Sequence, residues 1–140
     1  MEWKEALPLL QANHTGVAIS VTPKGRAQST IVSAAVLDGK VGFASRSHTV
    51  KLKHIKRTGR ATVTVIKLDT RRYVTVEGPA SIEPWQDTKA HIKRLKDLYT
   101  AMGRAPKGTD EEFAQQMRDE QRSLVLVTPE NLYGSLRSGA

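Results

Sequence analysis

Apolar and polar positions change period several times along this chain of 140 residues. Trp3, Ala6, Leu7 and Leu10 lie on one helical stripe, which predicts a short amphipathic helix over Glu2 to Gln11 with Pro8 in its middle. The period then shortens. Gly16 to Val21 is compact and β-branched, Pro23-Lys24-Gly25 signals a turn, and Gln28 to Leu37 reads as a longer apolar strand. Asp38-Gly39 is a preferred two-residue hairpin turn, after which Lys40 to Ser45 returns as the next strand.

A short basic helix is expected over Val50 to Thr58, capped by Thr49 or Ser47. Ala61 to Leu68 and Tyr73 to Ile82 alternate as half-buried strands do, joined across Asp69-Thr70-Arg71-Arg72. Pro84 to Gly103 carries the stripe Ile92, Leu95, Leu98, Tyr99 and Met102, so a helix is expected there with Gly103 as its stop. Thr109 to Gln121 is a further helix with a Thr109/Glu112 capping box. Ser123 to Thr128 is a last buried strand, and Asn131 to Gly139 is expected to trail off without structure. About six strands joined mostly as hairpins, with three or four helices beside them, predict one mainly β domain over residues 1–140, a small antiparallel barrel with peripheral helices.

Composition narrows the chemistry. With no cysteine there are no disulfides, thiol nucleophiles or thiolate metal sites. No apolar run approaches a membrane span and the first residues carry acids where a signal peptide has bases, so a cytoplasmic protein is expected, with no membrane contact. The net charge of +8 favours anionic partners, and the bases are dense from Arg46 to Arg72.

That basic stretch holds the candidate chemistry. Ser45, Arg46, Ser47, Thr49 and Lys51 bring hydroxyls and fixed positive charge to the start of a helix, where unpaired backbone N–H groups already favour an anion. The same residues also suit a solvated turn before a surface helix. His14, His48, His54 and His91 include no pair at metal-binding spacing, so no metal site is expected, and His48 and His54 are assigned to the polar face of the basic segment. No nucleophile elbow, phosphate-binding P-loop or dinucleotide fingerprint occurs. Glu77 is read as a solvated or salt-bridged strand residue rather than a general acid, and no catalytic residue is assigned. A chain without its own catalytic set is suited to grip a cofactor that brings the chemistry with it.

Several segments together resemble a known family. Arg46, Thr49 and Lys51, followed by His54 and Ile55, resemble an R-x-x-T-x-K-x-x-N-L pattern, with His54 in place of Asn and Ile55 in place of Leu. Gly25 to Val32 is similar to G-x-P-Q-x-S-P-V with Ala27 and Ile31 where proline is usual, Tyr73 to Ala80 to V-x-V-x-G-x-A, and the end of Arg122 to Gly134 to P-x-x-x-Y-G. In this order, over about Leu7 to Gly134, they resemble the pyridoxamine 5'-phosphate oxidase-like family, and within it the flavin/deazaflavin oxidoreductases that use coenzyme F420. The resemblance implies a split β-barrel of the FMN-binding kind and a homodimer with cofactor sites at its interface. It implies that Arg46, Thr49 and Lys51 grip the cofactor phosphate with help from Ser45, while Gln28, Ser29, Thr30, Ile31 and Val32 line the ring.

The activity implied is hydride transfer from reduced coenzyme F420 to an electron-poor organic acceptor. The alternatives are an FMN-dependent oxidase or reductase of the same fold and a non-catalytic F420 carrier. A nucleic-acid-binding module is the weaker reading, because the seven aromatics (Trp3, Phe43, Tyr73, Trp85, Tyr99, Phe113, Tyr133) suggest no exposed strand pair for stacking bases.

Overall fold

The structure is a computed structural model that describes residues 1–137. Its elements run α1 (Trp3–Ala12), β1 (Thr15–Val21), β2 (Ala27–Leu37), β3 (Lys40–Arg46), α2 (Val50–Thr58), β4 (Arg60–Lys67), β5 (Arg72–Glu83), α3 (Lys89–Ala101), α4 (Asp110–Glu120), β6 (Arg122–Val127) and β7 (Asn131–Ser135). Strand order is β4-β1-β2-β3-β6-β5-β7, and an added β4–β5 pairing closes six antiparallel strands into a barrel. The chain has the expected mainly β split barrel with helices around it.

The two longest strands make the closure possible. β2 pairs with β1 through Ala27 to Ser33 and then with β3 through Ala34 to Leu37. β5 pairs with β4 through Arg72 to Pro79 and then with β6 through Ala80 to Glu83. Each strand thus leaves one sheet for the other, and the two sheets become one wall. Gly78 sits beside the crossing in β5, where a Cβ would collide with the carbonyl oxygen of Thr128. Only a residue without a side chain lets the β6–β7 connection lie that close.

Two apolar cores result. Inside the barrel, Phe43, Val63, Val65, Val74, Val76 and Val125 are fully buried, with Leu10 of α1 and Ile55 of α2 closing against them. Outside it, Leu95 and Leu98 of α3, Met102 just after that helix, and Phe113 and Met117 of α4 cover Leu124 and Leu126 of β6. Arg94 ties α3 to the wall by ion pairs of 2.8 Å with Asp38 in the β2–β3 turn and Glu83 at the end of β5.

Several local expectations change. β7 is a seventh strand where the sequence suggests a loose tail; its short run Asn-Leu-Tyr-Gly-Ser is weakly strand-forming, and pairing with β5 from Tyr73 to Glu77 supplies the order. The rest of that predicted tail to Gly139 runs beyond the described residues. α3 starts at Lys89, not Pro84, because Thr88 caps it by accepting from the His91 amide at 3.1 Å. The Thr109/Glu112 capping box forms. Thr49 is the N-cap residue of α2 but makes no side-chain cap bond, and Gly59, at φ 69°, ends that helix. His54 is buried, not on a polar face, because α2 lies across the barrel end and buries positions 52, 54 and 55 together. Tyr73 and Tyr133 do stand exposed on the adjacent strands β5 and β7.

Glu77 is salt-bridged. Its carboxylate accepts from Asn131 Nδ2 at 2.7 Å and pairs with Arg60 at 2.8 Å, while Arg60 also reaches Glu130 at 2.8 Å, so β4, β5 and β7 are pinned at one point. The Asn131 amide first, then Arg60, hold Glu77 below the usual carboxylate range. A carboxylate lowered on folding stabilises above its unfolded pKa, and that contribution is lost as pH falls through the lower folded value. Glu77→Gln should therefore lower Tm by about 2–4 °C at pH 7, with the gap to the parent closing on acidification below about pH 4. Thermal unfolding followed by circular dichroism across that range checks it, and a constant gap would show that the charge is not involved.

Candidate cofactor-binding site

The anion-binding expectation can be located on the structure from the register of β3 and β6. Ser45 is paired with Ser123 and Arg46 with Arg122, so the two arginines stand side by side on the outer face of the wall. Like charges directly opposite on neighbouring strands repel, and a bound anion would relieve that repulsion. Beside them the chain turns into α2 and brings Thr49 and Lys51 back, while the end of α3 adds Tyr99 and Met102 and the residues after it add Arg104. Together these groups line a cleft of about 390 Å³, walled on its far side by Ile31, Val32 and Ser33 of β2.

Ser45, Arg46, Thr49, Lys51, Ile31 and Val32 are therefore gathered in one cleft. Gln28, Ser29 and Thr30 lie further along β2, all exposed, and do not line it. Arg122, Arg104 and Tyr99 do line it, although no local pattern in the sequence marks them. The one sequence signal for Arg122 is its position ahead of a buried strand, and that says nothing about its neighbour until β3–β6 pairing is known.

The cleft is built to receive negative charge. Arg46, Lys51, Arg104 and Arg122 line it with no carboxylate among the lining residues, and Glu120, at 3.3 Å from Arg122, partly offsets one of them. Thr49 Oγ1 is engaged with Ser45 Oγ at 3.0 Å instead of with its own helix, so the first amides of α2 keep no side-chain acceptor. Ser47 does not cap either: its hydroxyl donates to the Gln121 carbonyl at 2.7 Å and fixes the loop to the α4–β6 junction. A phosphate meets here the open end of a helix, hydroxyls and several cations, which is the donor set such a group requires.

Burial pushes the Lys51 ammonium below the ordinary lysine value, and Arg122 adds to the effect. Burial raises the Tyr99 phenol, which keeps it protonated at neutral pH. A larger cleft of about 710 Å³ between α3 and α4 is a weaker anion site, since Lys96 pairs with Asp110 and Arg118 with Asp87 and Glu111 along it. Among the described residues no group of three or more His, Asp or Glu is placed to hold a metal ion. No helix of the described residues is long and apolar enough to cross a membrane.

A lysine whose pKa falls on folding costs stability wherever it is charged, and that cost disappears only as pH rises through its unfolded value. Lys51→Met should therefore raise Tm at pH 7 while weakening binding of a phosphate-bearing ligand by about tenfold to a hundredfold. Arg122→Ala should weaken the same ligand by about tenfold or more. Calorimetry on the free variants and titration with FMN or inorganic phosphate test both, and unchanged affinity in both variants would remove the cleft as the anion site.

The fold recurs in solved structures. The fold is shared with a conserved hypothetical protein from Mycobacterium tuberculosis at TM-score 0.75 and 20% identity, covering 96% of this chain and 84% of that one. An F420 reductase superimposes at TM-score 0.65 and 23% identity, covering 90% and 94% of the two chains. General stress protein 26 from Bacillus anthracis does so at TM-score 0.65 and 18% identity, covering 96% and 94%. Among curated proteins none matches the sequence. The sequence itself matches the pyridoxamine 5'-phosphate oxidase family from residue 3 to residue 135, and with the barrel closed as described the chain belongs to that family.

Proposed function

We propose that the protein is an oxidoreductase that holds coenzyme F420 in the Arg46/Arg122 cleft and serves hydride transfer to an electron-poor organic acceptor. The observation that carries this reading is the cleft itself, lined by Arg46, Lys51, Arg104 and Arg122 and by no carboxylate, at the uncapped start of α2. The likeness to an F420 reductase supports the deazaflavin in particular. When bound, such a group supplies the hydride; the chain's part is to hold its phosphate, fix its orientation and exclude water. Arg46, Lys51 and Arg122 hold the charge, while Ile31, Val32 and Met102 supply the apolar wall. Tyr99 is the one uncharged titratable group in the cleft, and it stays a donor at neutral pH.

FMN is the second reading: its phosphomonoester is an anion that the same cations could hold. A carrier that binds F420 without turnover uses the same residues.

The functional unit in this reading is a homodimer. Across the outer face of one sheet, Ile31, Val17, Thr64, Thr75 and Tyr133 form a single row from β2 through β1, β4 and β5 to β7, with no charge in it. Ile31 is 79% exposed and Tyr133 55%, which is unusual for a sheet facing water. Because Ile31 also lines the cleft, a second copy seated on this face completes the cofactor wall.

Titration with F420 and with FMN at low and high salt, followed by cofactor fluorescence, tests the reading. Tight F420 binding beside FMN binding at least about tenfold weaker is expected, with reduced F420 then consumed by electron-poor acceptors. Binding of FMN alone selects the flavin enzyme, and binding of neither, with salt-sensitive capture of single-stranded nucleic acid, selects the weaker reading. Separately, Tyr133→Glu should shift the protein from dimer to monomer in sedimentation velocity.

A further inference from the structure

A second cavity, of about 690 Å³, lies on the other side of α2 and shares no lining residue with the phosphate cleft. Its floor is apolar: Leu52 and Ile55 of α2, Ile82 of β5, and Trp85 in the segment before α3. Trp85 is held in place, its ring edge-on to His91 at 5.5 Å and its amide donating to Ser123 Oγ at 3.2 Å. Ser47 bridges the same spot, lying 3.2 Å from Ser123 Oγ, so the wall does not depend on a ligand for its shape.

The rim has one sign of charge. Lys53 and Lys56 lie one turn apart on α2, both exposed, and both line the cavity together with His48, while no carboxylate does. Among the described residues neither lysine makes an ion pair with an acid, although the exposed acids of α3 and α4 are largely paired with other bases. Two unneutralised lysines at i, i+3 repel each other mildly, and an anion between them relieves that repulsion. A floor of one half-buried tryptophan and branched aliphatic residues, with cations at one edge only, suits a molecule that is flat and apolar at one end and negatively charged at the other. The volume is within the range of small-molecule sites.

We infer that this cavity binds a small aromatic carboxylate, its ring against Trp85 and Ile82 and its carboxylate at Lys53 and Lys56. The site is independent of the phosphate cleft and stands whichever cofactor that cleft takes.

The test is isothermal titration of the full chain with 2-naphthoate and with its uncharged partner 2-naphthamide. Saturable binding of naphthoate is expected, with naphthamide at least about fivefold weaker. The double variant Lys53→Gln, Lys56→Gln should weaken naphthoate by a similar factor without a change in unfolding temperature, because both side chains are exposed. Arg46→Ala should leave naphthoate binding as it is. Equal affinity for the two probes, an unaffected lysine variant, or no saturation up to about 5 mM overturns the site. Loss of naphthoate binding in Arg46→Ala places the anion in the phosphate cleft and also overturns it.

Discussion

The Arg46/Arg122 cleft depends on barrel closure, and closure depends on β2 and β5 each serving two neighbours in turn. The pairing of β5 with both β4 and β6 brings β6 against β3 in the register that sets Arg46 opposite Arg122. These residues are far apart in sequence, and no local interaction recruits one to the other. The wall holds them together because its interior buries Phe43, Val125 and the valines of β4 and β5, a large favourable term beside which the repulsion of two partly solvated guanidinium groups is small. The barrel can therefore carry an unfavourable pair at its rim, and a ligand of opposite charge gains what the pair lacks.

The same trade runs through α2. A helix of nine residues is not stable by itself; it is fixed because Leu52, His54 and Ile55 close the end of the barrel. Held from below, it does not need a capping side chain, and Thr49 is released to bond Ser45 while the first amides of α2 take no side-chain cap. Lys51, partly buried beside Arg122 and 5.6 Å from the centre of the Phe43 ring, is similarly retained at a cost that packing elsewhere offsets.

Much of this was legible from the residues in order. Alternation in Ala61 to Leu68 and Tyr73 to Ile82, the Asp38-Gly39 turn and the Thr109/Glu112 box report on neighbours one to four positions away, and each formed within a residue or two of expectation. The turn from β3 into α2, with Arg46 before it and Lys51 after it, is likewise a local feature. What was not legible was set by distant contacts: β7, ordered by β5; the burial of His54, decided by where α2 lies; and Arg122, Arg104 and Tyr99, which reach the cleft from the second half of the chain. Gln28, Ser29 and Thr30 show the converse limit. A motif fixes their place on β2, but in that half of the strand only β1 pairs with it, and the three side chains stand exposed.

The lining of the cleft also bears on how any reaction there is divided between protein and ligand. Proton transfer at neutral pH is best served by a group whose pKa lies near the working pH, and the lining offers guanidinium groups, one depressed lysine and one elevated phenol. The arginines cannot exchange protons. Tyr99 can donate a hydrogen bond, yet burial works against its ionising. A site so composed holds charge still while a bound group reacts, and its fixed cations also favour whichever form of that group carries more negative charge in the cleft. For a redox-active cofactor the reduced, anionic form is the one stabilised. On the proposed reading, the cations that would hold the phosphate, Arg46 and Arg122 among them, would also favour the reduced form of a redox group bound beside it.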